Sequence, residues 1–383
     1  MKIAFLWAHE SLGLYANAPF NDLYKLVGHN NGNLAFIHAL RTQIEGAFVF
    51  CRWGFDVAAL RDVDVVVIPC ANQLGKHTDL KVSGEKLLAL GKPVIAIGLG
   101  AQAADMDTDI ELSDGTLSWV KAIDSLRPSG ASNIYTRGPF TSEQLKKFGI
   151  PDAVVGGCPS HFINPEPNLG HRIHQRWIAQ PLPRAISVAG GHEGWARLRT
   201  IEQQLINLIH DPFFPGQYVV QSMAAMIHIS RDDFDAMEPA KLAGIHQYLL
   251  PHYTLKEFQT WCRGYAKSFY DAVAWMDSLR RFDLSIGPRY HGTALAIQAE
   301  RMGVTIALDS RTEEMCIQTG VPMLRSVDLA GKPLTRETLK KAIQFDPAAY
   351  ETQRTERVKN FLAFLEANGL VPAKYLYRLA DGK

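Results

Sequence analysis

The sequence has no surplus of either charge: 40 Lys and Arg stand against 39 Asp and Glu, a formal net charge of +1. Nucleic-acid binders carry a basic surplus or stripe, so nucleic acid is excluded as a partner. An anion site must then be a pocket built from a few residues. Cysteine is scarce and unpatterned. Cys51, Cys70, Cys158, Cys262 and Cys316 are an odd, scattered set with no C-x2-C spacing. That suits neither a zinc site nor a disulfide framework, so no metal is expected and a reducing compartment fits best. Long apolar runs are absent too: a membrane span needs about eighteen such residues. The apolar start breaks at His9-Glu10, too early for a secretory signal. A cytoplasmic protein is expected, with peripheral attachment at the inner face of the membrane left open. Finally, Gly98-Leu-Gly100-Ala-Gln-Ala lacks the third glycine of G-x-G-x-x-G, which speaks against a dinucleotide-dependent dehydrogenase.

What is present is a well-filled globular composition, 47% hydrophobic and 21% charged over 383 residues. That length suits two domains better than one. In the first half, short apolar runs at 2–7, 63–69, 93–98, 133–136 and 153–155 read as strands. Helical spacing fills 33–50, 83–90 and 139–148 between them. A proline-rich stretch, 165–183, reads as a linker. A second alternating series follows, with strands at 185–189, 218–221, 283–286 and 304–308. Helices are expected at 200–210, over most of 253–279 with a break near Arg263-Gly264, and at 292–300, with a long one at 349–368. Strands separated by helices imply parallel sheets. The expected architecture is α/β: two Rossmann-like parallel-sheet domains, 1–170 and 184–345, joined by a linker at 171–183, with a helical segment at 346–383. Ligands of such sheets bind outside the carboxyl ends of the strands.

The segment Ile286-Gly-Pro-Arg-Tyr-His-Gly292 ends a strand and opens a helix. A helix start offers unpaired N–H groups and the positive dipole end to an anion. Gly292 lets backbone come close, Arg289 can clamp a carboxylate or phosphate with two hydrogen bonds, and His291 can exchange a proton near neutral pH. Alone, Arg289 reads as a surface ion-pair partner and His291 as a capping or core histidine. Their shared junction favours a site. Arg137 repeats the pattern in the first half, and Arg311 follows a strand in the second. For a polar second ligand, Asn30, Asn33, Asn72, Gln73 and His77 sit at strand ends of the first half. His192 and Glu193 lie in the Gly190–Gly194 loop. Trp7, Trp53 and Trp195 offer stacking faces, although core packing is the commoner role of tryptophan.

These segments resemble the polysaccharide pyruvyl transferase family. The resemblance rests on Arg289-Tyr-His291-Gly292, then Asp309-Ser-Arg311-Thr-Glu-Glu314, then Gly320-Val-Pro322. Upstream it rests on Arg137-Gly-Pro-Phe-Thr-Ser-Glu-Gln-Leu145, Gly156-Gly-Cys-Pro159, Asn30-Asn-Gly-Asn33 and Ala71-Asn-Gln-Leu74. Many members have Asp where this chain has Cys158 and Asn33. The resemblance implies a fold like that of GT-B glycosyltransferases, with the last helix crossing back to the first domain. It implies phosphoenolpyruvate as donor, no cofactor, and a cyclic pyruvate ketal on a sugar, lipid-linked or not, as product. Arg137, Arg289, Gly292 and Arg311 would then hold the donor, with His291 and Arg289 catalytic. Asn30, Asn33, Asn72, Gln73, His192 and Glu193 would face the acceptor. Two alternatives remain at this point: a glycosyltransferase using a nucleotide sugar, and a catalytically silent carbohydrate-binding protein. The oligomeric state is open.

Overall fold

The structure, a computed structural model, describes residues 1–7, 18–103 and 107–382; the His9-Glu10 break lies outside them. Two six-stranded sheets dominate it. The first contains β1 (Lys2–Leu6), β2 (Ala47–Cys51), β3 (Val65–Pro69), β4 (Val94–Leu99), β5 (Ile134–Thr136) and β6 (Val154–Val155). Its order is β2-β1-β3-β4-β5-β6, and every pairing is parallel. The second contains β7 (Ile186–Ala189), β8 (Gly216–Val219), β9 (Ala266–Lys267), β10 (Leu284–Gly287), β11 (Met302–Ala307) and β12 (Met323–Arg325). Its order is β9-β8-β7-β10-β11-β12, again wholly parallel. The two α/β domains expected from the alternating pattern are therefore present. Val65–Pro69 and Met302–Ala307 are buried along their whole length, as parallel strands covered on both faces must be.

Two segments depart from the reading of the sequence. The helix expected over 33–50 is α1 (Asn33–Gln43) alone, and Ala47–Cys51 becomes strand β2. The chain turns extended at Ile44, where Ile44–Glu45 is already a strand, and the Phe-Val-Phe run after Gly46 suits a pleated surface better. The break expected near Arg263-Gly264 falls just after Tyr265, where edge strand β9 separates the helices Leu255–Tyr265 and Ala272–Leu279. The stretch 171–183 is not plain linker. Most of α3 (Leu169–Ala179) lies in it, burying Leu169, Ile173 and Trp177 at four-residue spacing. The prolines flank this helix rather than enter it, so the composition of the stretch hid its periodicity.

The long helix α6 (Pro347–Ala367) starts on Asp346, whose carboxylate accepts from the Ala348 and Ala349 N–H groups. Its Phe361 and Phe364 pack on Tyr135 of β5, at ring distances of 5.3 and 5.0 Å. Beyond it, Val371–Pro372 pairs antiparallel with Ile44–Glu45. The tail thus lies against the first half. Among the described residues no helix is long and apolar enough to cross a membrane.

Strand order also locates the clefts. In each sheet the chain reverses direction of growth once, between β1 and β3 and between β7 and β10. Loops part there, leaving a crevice at the carboxyl ends. Trp7 and Asn72 leave the first crevice, and the His192 loop and Arg289 leave the second.

Candidate functional site

Three arginines from both halves line one cavity of about 60 Å³ at the meeting of these edges. Arg137 follows β5 and is 3% exposed. Its Nε donates to the Gly98 carbonyl at 2.9 Å, and its two terminal nitrogens to Asn72 Oδ1 at 2.8 Å and the Cys70 carbonyl at 3.2 Å. These are strand-end dipoles that orient the guanidinium without cancelling its charge. Burial pulls its pKa below the usual arginine value, and Arg311 adds to the fall.

Arg289 caps β10 ahead of helix α4 (Tyr290–Gln298). Its guanidinium carbon lies 4.3 Å from the Trp195 ring centre, a stacked geometry that favours a cation. It donates to Ser222 Oγ, while its Nε has no partner among the described residues. Burial first, then the facing Arg311, bring its pKa to about 10. Arg311 opens α5 (Ser310–Thr319). One of its terminal nitrogens is 3.5 Å from Asp309 Oδ2, and its Nε is also without a partner among the described residues. Asp309 is already engaged as the cap of α5, accepting from Thr312 N at 2.9 Å.

His291 closes the cavity, 8% exposed. Its Nε2 stands 3.6 Å from Cys158 Sγ, a thiol rather than a carboxylate. Burial, then Arg137 and Arg311, hold its pKa well below the usual histidine value. Both effects favour the neutral imidazole. Gly292 serves packing here: a Cβ would meet Ala189 Cβ and Gln221 Nε2, each at 2.8 Å.

Contacts between the halves bring the arginines together. Glu314 of α5 crosses to the first half and caps α2 (Pro139–Lys147), the helix just after Arg137. Its oxygens accept from Thr141 N and Thr141 Oγ1, each at 3.0 Å. Gly138 makes room, since a Cβ there would lie 2.2 Å from Glu314 Cγ. On the other flank, Asn31 N donates to Gln221 O and Asn31 Nδ2 to Phe269 O, each at 2.7 Å. Glu314 was not singled out from the sequence as a residue joining the halves. Neither was Glu202, which is 1% exposed. It accepts from Gly191 N at 2.5 Å, from the Tyr248 hydroxyl at 2.6 Å and from the Tyr218 hydroxyl. Burial raises its pKa, against the pull of these donors and of Arg289. Its signal was a carboxylate on the buried stripe of Arg199–Ile209, beside Ile201, Leu205 and Ile206.

A larger cavity, about 740 Å³, adjoins the first and shares Asn30, Asn33, Ala71 and Asn72 with it. Trp7 and Trp53 line it, edge to face at 5.5 Å. Asn72 links the two cavities, with Oδ1 on Arg137 and Nδ2 3.4 Å from Gln102 Oε1. Some of the polar residues here also hold backbone. Asn33 Nδ2 donates to Val27 O, Asn30 Oδ1 accepts from Gly32 N, and Gln73 Oε1 accepts from Ala71 N. His77 Nε2 is 3.0 Å from Asn72 O. His192 and Glu193 line neither cavity. The His192 ring lies 4.5 Å from Trp195, and Glu193 pairs with Lys241 at 3.1 Å. Burial, then Arg289, lower the His192 pKa to about 4.

The polysaccharide pyruvyl transferase family model matches residues 14–310. The chain belongs to this family. The matched span holds Arg137, Arg289 and His291, and Arg311 follows directly after it. No curated protein matches the chain. Solved structures similar to it include Staphylococcus aureus MnaA with UDP, at 10% identity and TM-score 0.44, covering 95% of this chain and 98% of that one. Another is the Methanocaldococcus jannaschii UDP-GlcNAc 2-epimerase with UDP-GlcNAc and UDP, at 10% identity and TM-score 0.45, covering 95% and 100%. The Neisseria meningitidis UDP-GlcNAc 2-epimerase bound to UDP-GlcNAc stands at 11% identity and TM-score 0.42, covering 95% and 100%.

Proposed function

We propose that this chain transfers a pyruvyl group from phosphoenolpyruvate to two hydroxyls of one sugar, releasing phosphate. The observation that carries the reading is the cavity where Arg137, Arg289 and Arg311 meet around His291. Phosphoenolpyruvate has a carboxylate and a phosphate, and guanidinium forks match both. A sugar hydroxyl oxygen bonds to C2 while C3 gains a proton and becomes a methyl group. Phosphate leaves with the electrons of the C2–O bond. A second hydroxyl then closes on C2, and each hydroxyl gives up its proton. His291 is the group placed to move a proton in this sequence. The donor's negative charge offsets Arg137 and Arg311, so donor binding raises the His291 pKa. The donor's phosphate ester supplies the driving force, and the scheme needs no cofactor.

The larger cavity suits the acceptor. Trp7 and Trp53 offer apolar faces to a sugar ring, and Asn72, Gln73 and His77 offer polar edges. A saccharide of a cell-surface polysaccharide or its precursor is the acceptor class this reading implies. The reaction is cytoplasmic on this reading, at the membrane face where the acceptor is lipid-linked. The test is donor dependence. Purified protein is incubated with saccharide acceptors and either phosphoenolpyruvate or UDP-sugars, and released phosphate and UDP are measured. Phosphate release from phosphoenolpyruvate that falls in His291→Ala is expected. UDP release without phosphate release overturns the reading in favour of a glycosyltransferase. Sugar binding with neither release favours a silent binding protein.

A further inference from the structure

A separate cavity of about 240 Å³ opens on the opposite edge of the second sheet, and Arg176, Arg280, Arg281 and Arg301 line it. Asp283 stands just before β10 and Met302 begins β11, so this is the amino-terminal edge. The cleft residues Arg289 and Asp309 leave the carboxyl edge. Ile173, Phe282 and Met302 supply apolar surface between the arginines.

The acids nearby are already engaged. Asp283 Oδ1 accepts from Gln180 Nε2 at 2.8 Å, and Oδ2 from Arg184 N and Ala185 N at 2.9 and 3.0 Å. Glu300 pairs with Arg172 at 3.2 Å and Arg176 at 3.0 Å. Arg301 is oriented by carbonyls, with Nε on Arg280 O at 2.8 Å and NH1 on Glu300 O at 3.1 Å. Carbonyls fix its plane without cancelling its charge. Burial lowers its pKa, the charges of Arg176 and Arg280 lower it further, and Glu300 and Asp283 oppose the fall. The result is a concave surface on which Arg176 is paired with Glu300 and Asp283 contributes one engaged carboxylate, while Arg280, Arg281 and Arg301 form no ion pair among the described residues. Guanidinium forks pair with phosphate oxygens two at a time.

We propose that this cavity is a second anion site, built for a phosphoryl group and independent of the donor cleft. The phosphoryl group is borne by a soluble phosphate ester or by a phospholipid headgroup. Ile178, on the next position of α3 after Trp177, is 60% exposed, an apolar contact that the second source would use.

The experiment uses the full chain, Arg280→Gln/Arg281→Gln, Arg280→Lys/Arg281→Lys and Arg289→Gln. Pyrophosphate is titrated calorimetrically, and vesicles of phosphatidylglycerol are compared with vesicles of phosphatidylcholine by flotation. Both substituted arginines are exposed, so the variants are expected to melt with the parent. Pyrophosphate binding that weakens about tenfold or more in the Gln pair, persists in Arg289→Gln and partly returns in the Lys pair supports a soluble ester. Capture on phosphatidylglycerol alone, lost in the Gln pair while pyrophosphate stays unbound, supports a headgroup. Identical behaviour of parent and Gln pair toward both probes, including no binding of either, overturns the proposal.

Discussion

Replacing Glu314 tests whether the two halves are held in register by one buried carboxylate. Glu314 is 2% exposed and accepts two hydrogen bonds from Thr141, each at 3.0 Å. Glu314→Ala leaves the Thr141 amide unpaired in a buried place. An orphaned buried donor costs about 1–3 kcal/mol, and hydrogen bonds to a charged acceptor are worth about 1.5–3 kcal/mol each. Lost capping of α2 is part of the same effect rather than an addition to it. A fall of about 2–4 kcal/mol in resistance to denaturant is expected. Glu314→Gln keeps an acceptor for Thr141 N and has nearly the same volume, so it should lose less than half as much.

The pH dependence has a definite sign. Burial raises the Glu314 pKa in the folded chain. The unfolded chain therefore loses this proton first, and stability falls as pH rises from the unfolded value through the folded one. Glu314→Gln removes that slope. The assay is urea denaturation of parent, Glu314→Ala, Thr141→Val and the double variant. A cycle should return a coupling of about 1–3 kcal/mol between the two residues. Additive losses, or Glu314→Ala as stable as the parent, would refute the idea that this contact clamps the halves. If the clamp positions Arg137, Glu314→Ala should also raise the donor KM more than it lowers kcat.

Three other outcomes are expected. Nitrogen NMR of the free protein should show His291 neutral at pH 6.5, with its pKa rising on adding phosphoenolpyruvate; a charged imidazole in the empty site would contradict the low pKa assigned to it. His291→Gln should lower pyruvyl transfer by a factor of about 10² to 10⁴ while donor affinity changes little, as read by single-turnover phosphate release. Arg289→Lys keeps the charge but loses the fork and the flat stack on Trp195, so its donor affinity should fall by about 1–3 kcal/mol; equal affinity would show that charge alone suffices there.

The cleft arginines were legible because strand-to-helix junctions leave marks in composition. Gly287-Pro288 stops β10, and Arg289 to Gly292 starts α4. Arg137 carries a similar mark, with Gly138-Pro139 opening α2. The alternation of apolar runs and helical spacing made two parallel sheets legible in the same way. What failed to show were features without a local signature. Thr141 and Glu314 lie 173 positions apart, and no periodicity connects them. Strand β9 has two residues and borrows its identity from the pairing with β8. The placement of His192 beside Trp195 and Arg289, outside both cavities, depends on a loop whose direction its glycines do not announce.

The acids around the cleft explain why its arginines remain available. Asp309 caps α5, Glu314 caps α2, and Glu202 is held by Tyr218, Tyr248 and the Gly191 amide. Glu314 and Glu202 have both oxygens committed to other donors, while Asp309 gives Oδ1 to Thr312 and keeps Oδ2 3.5 Å from Arg311. Carbonyls at the ends of β3 and β4, meanwhile, aim Arg137 without neutralising it. Arg311 is partly paired, 3.5 Å from Asp309 Oδ2, whereas Arg137 and Arg289 form no ion pair among the described residues. Among the described residues, Nε of Arg289 and Nε of Arg311 are buried without a hydrogen-bond partner. Such groups are costly in an empty site, and an incoming anion with several oxygens is the species that removes the cost. Donor binding would therefore tighten both halves at once, since the three arginines come from both of them.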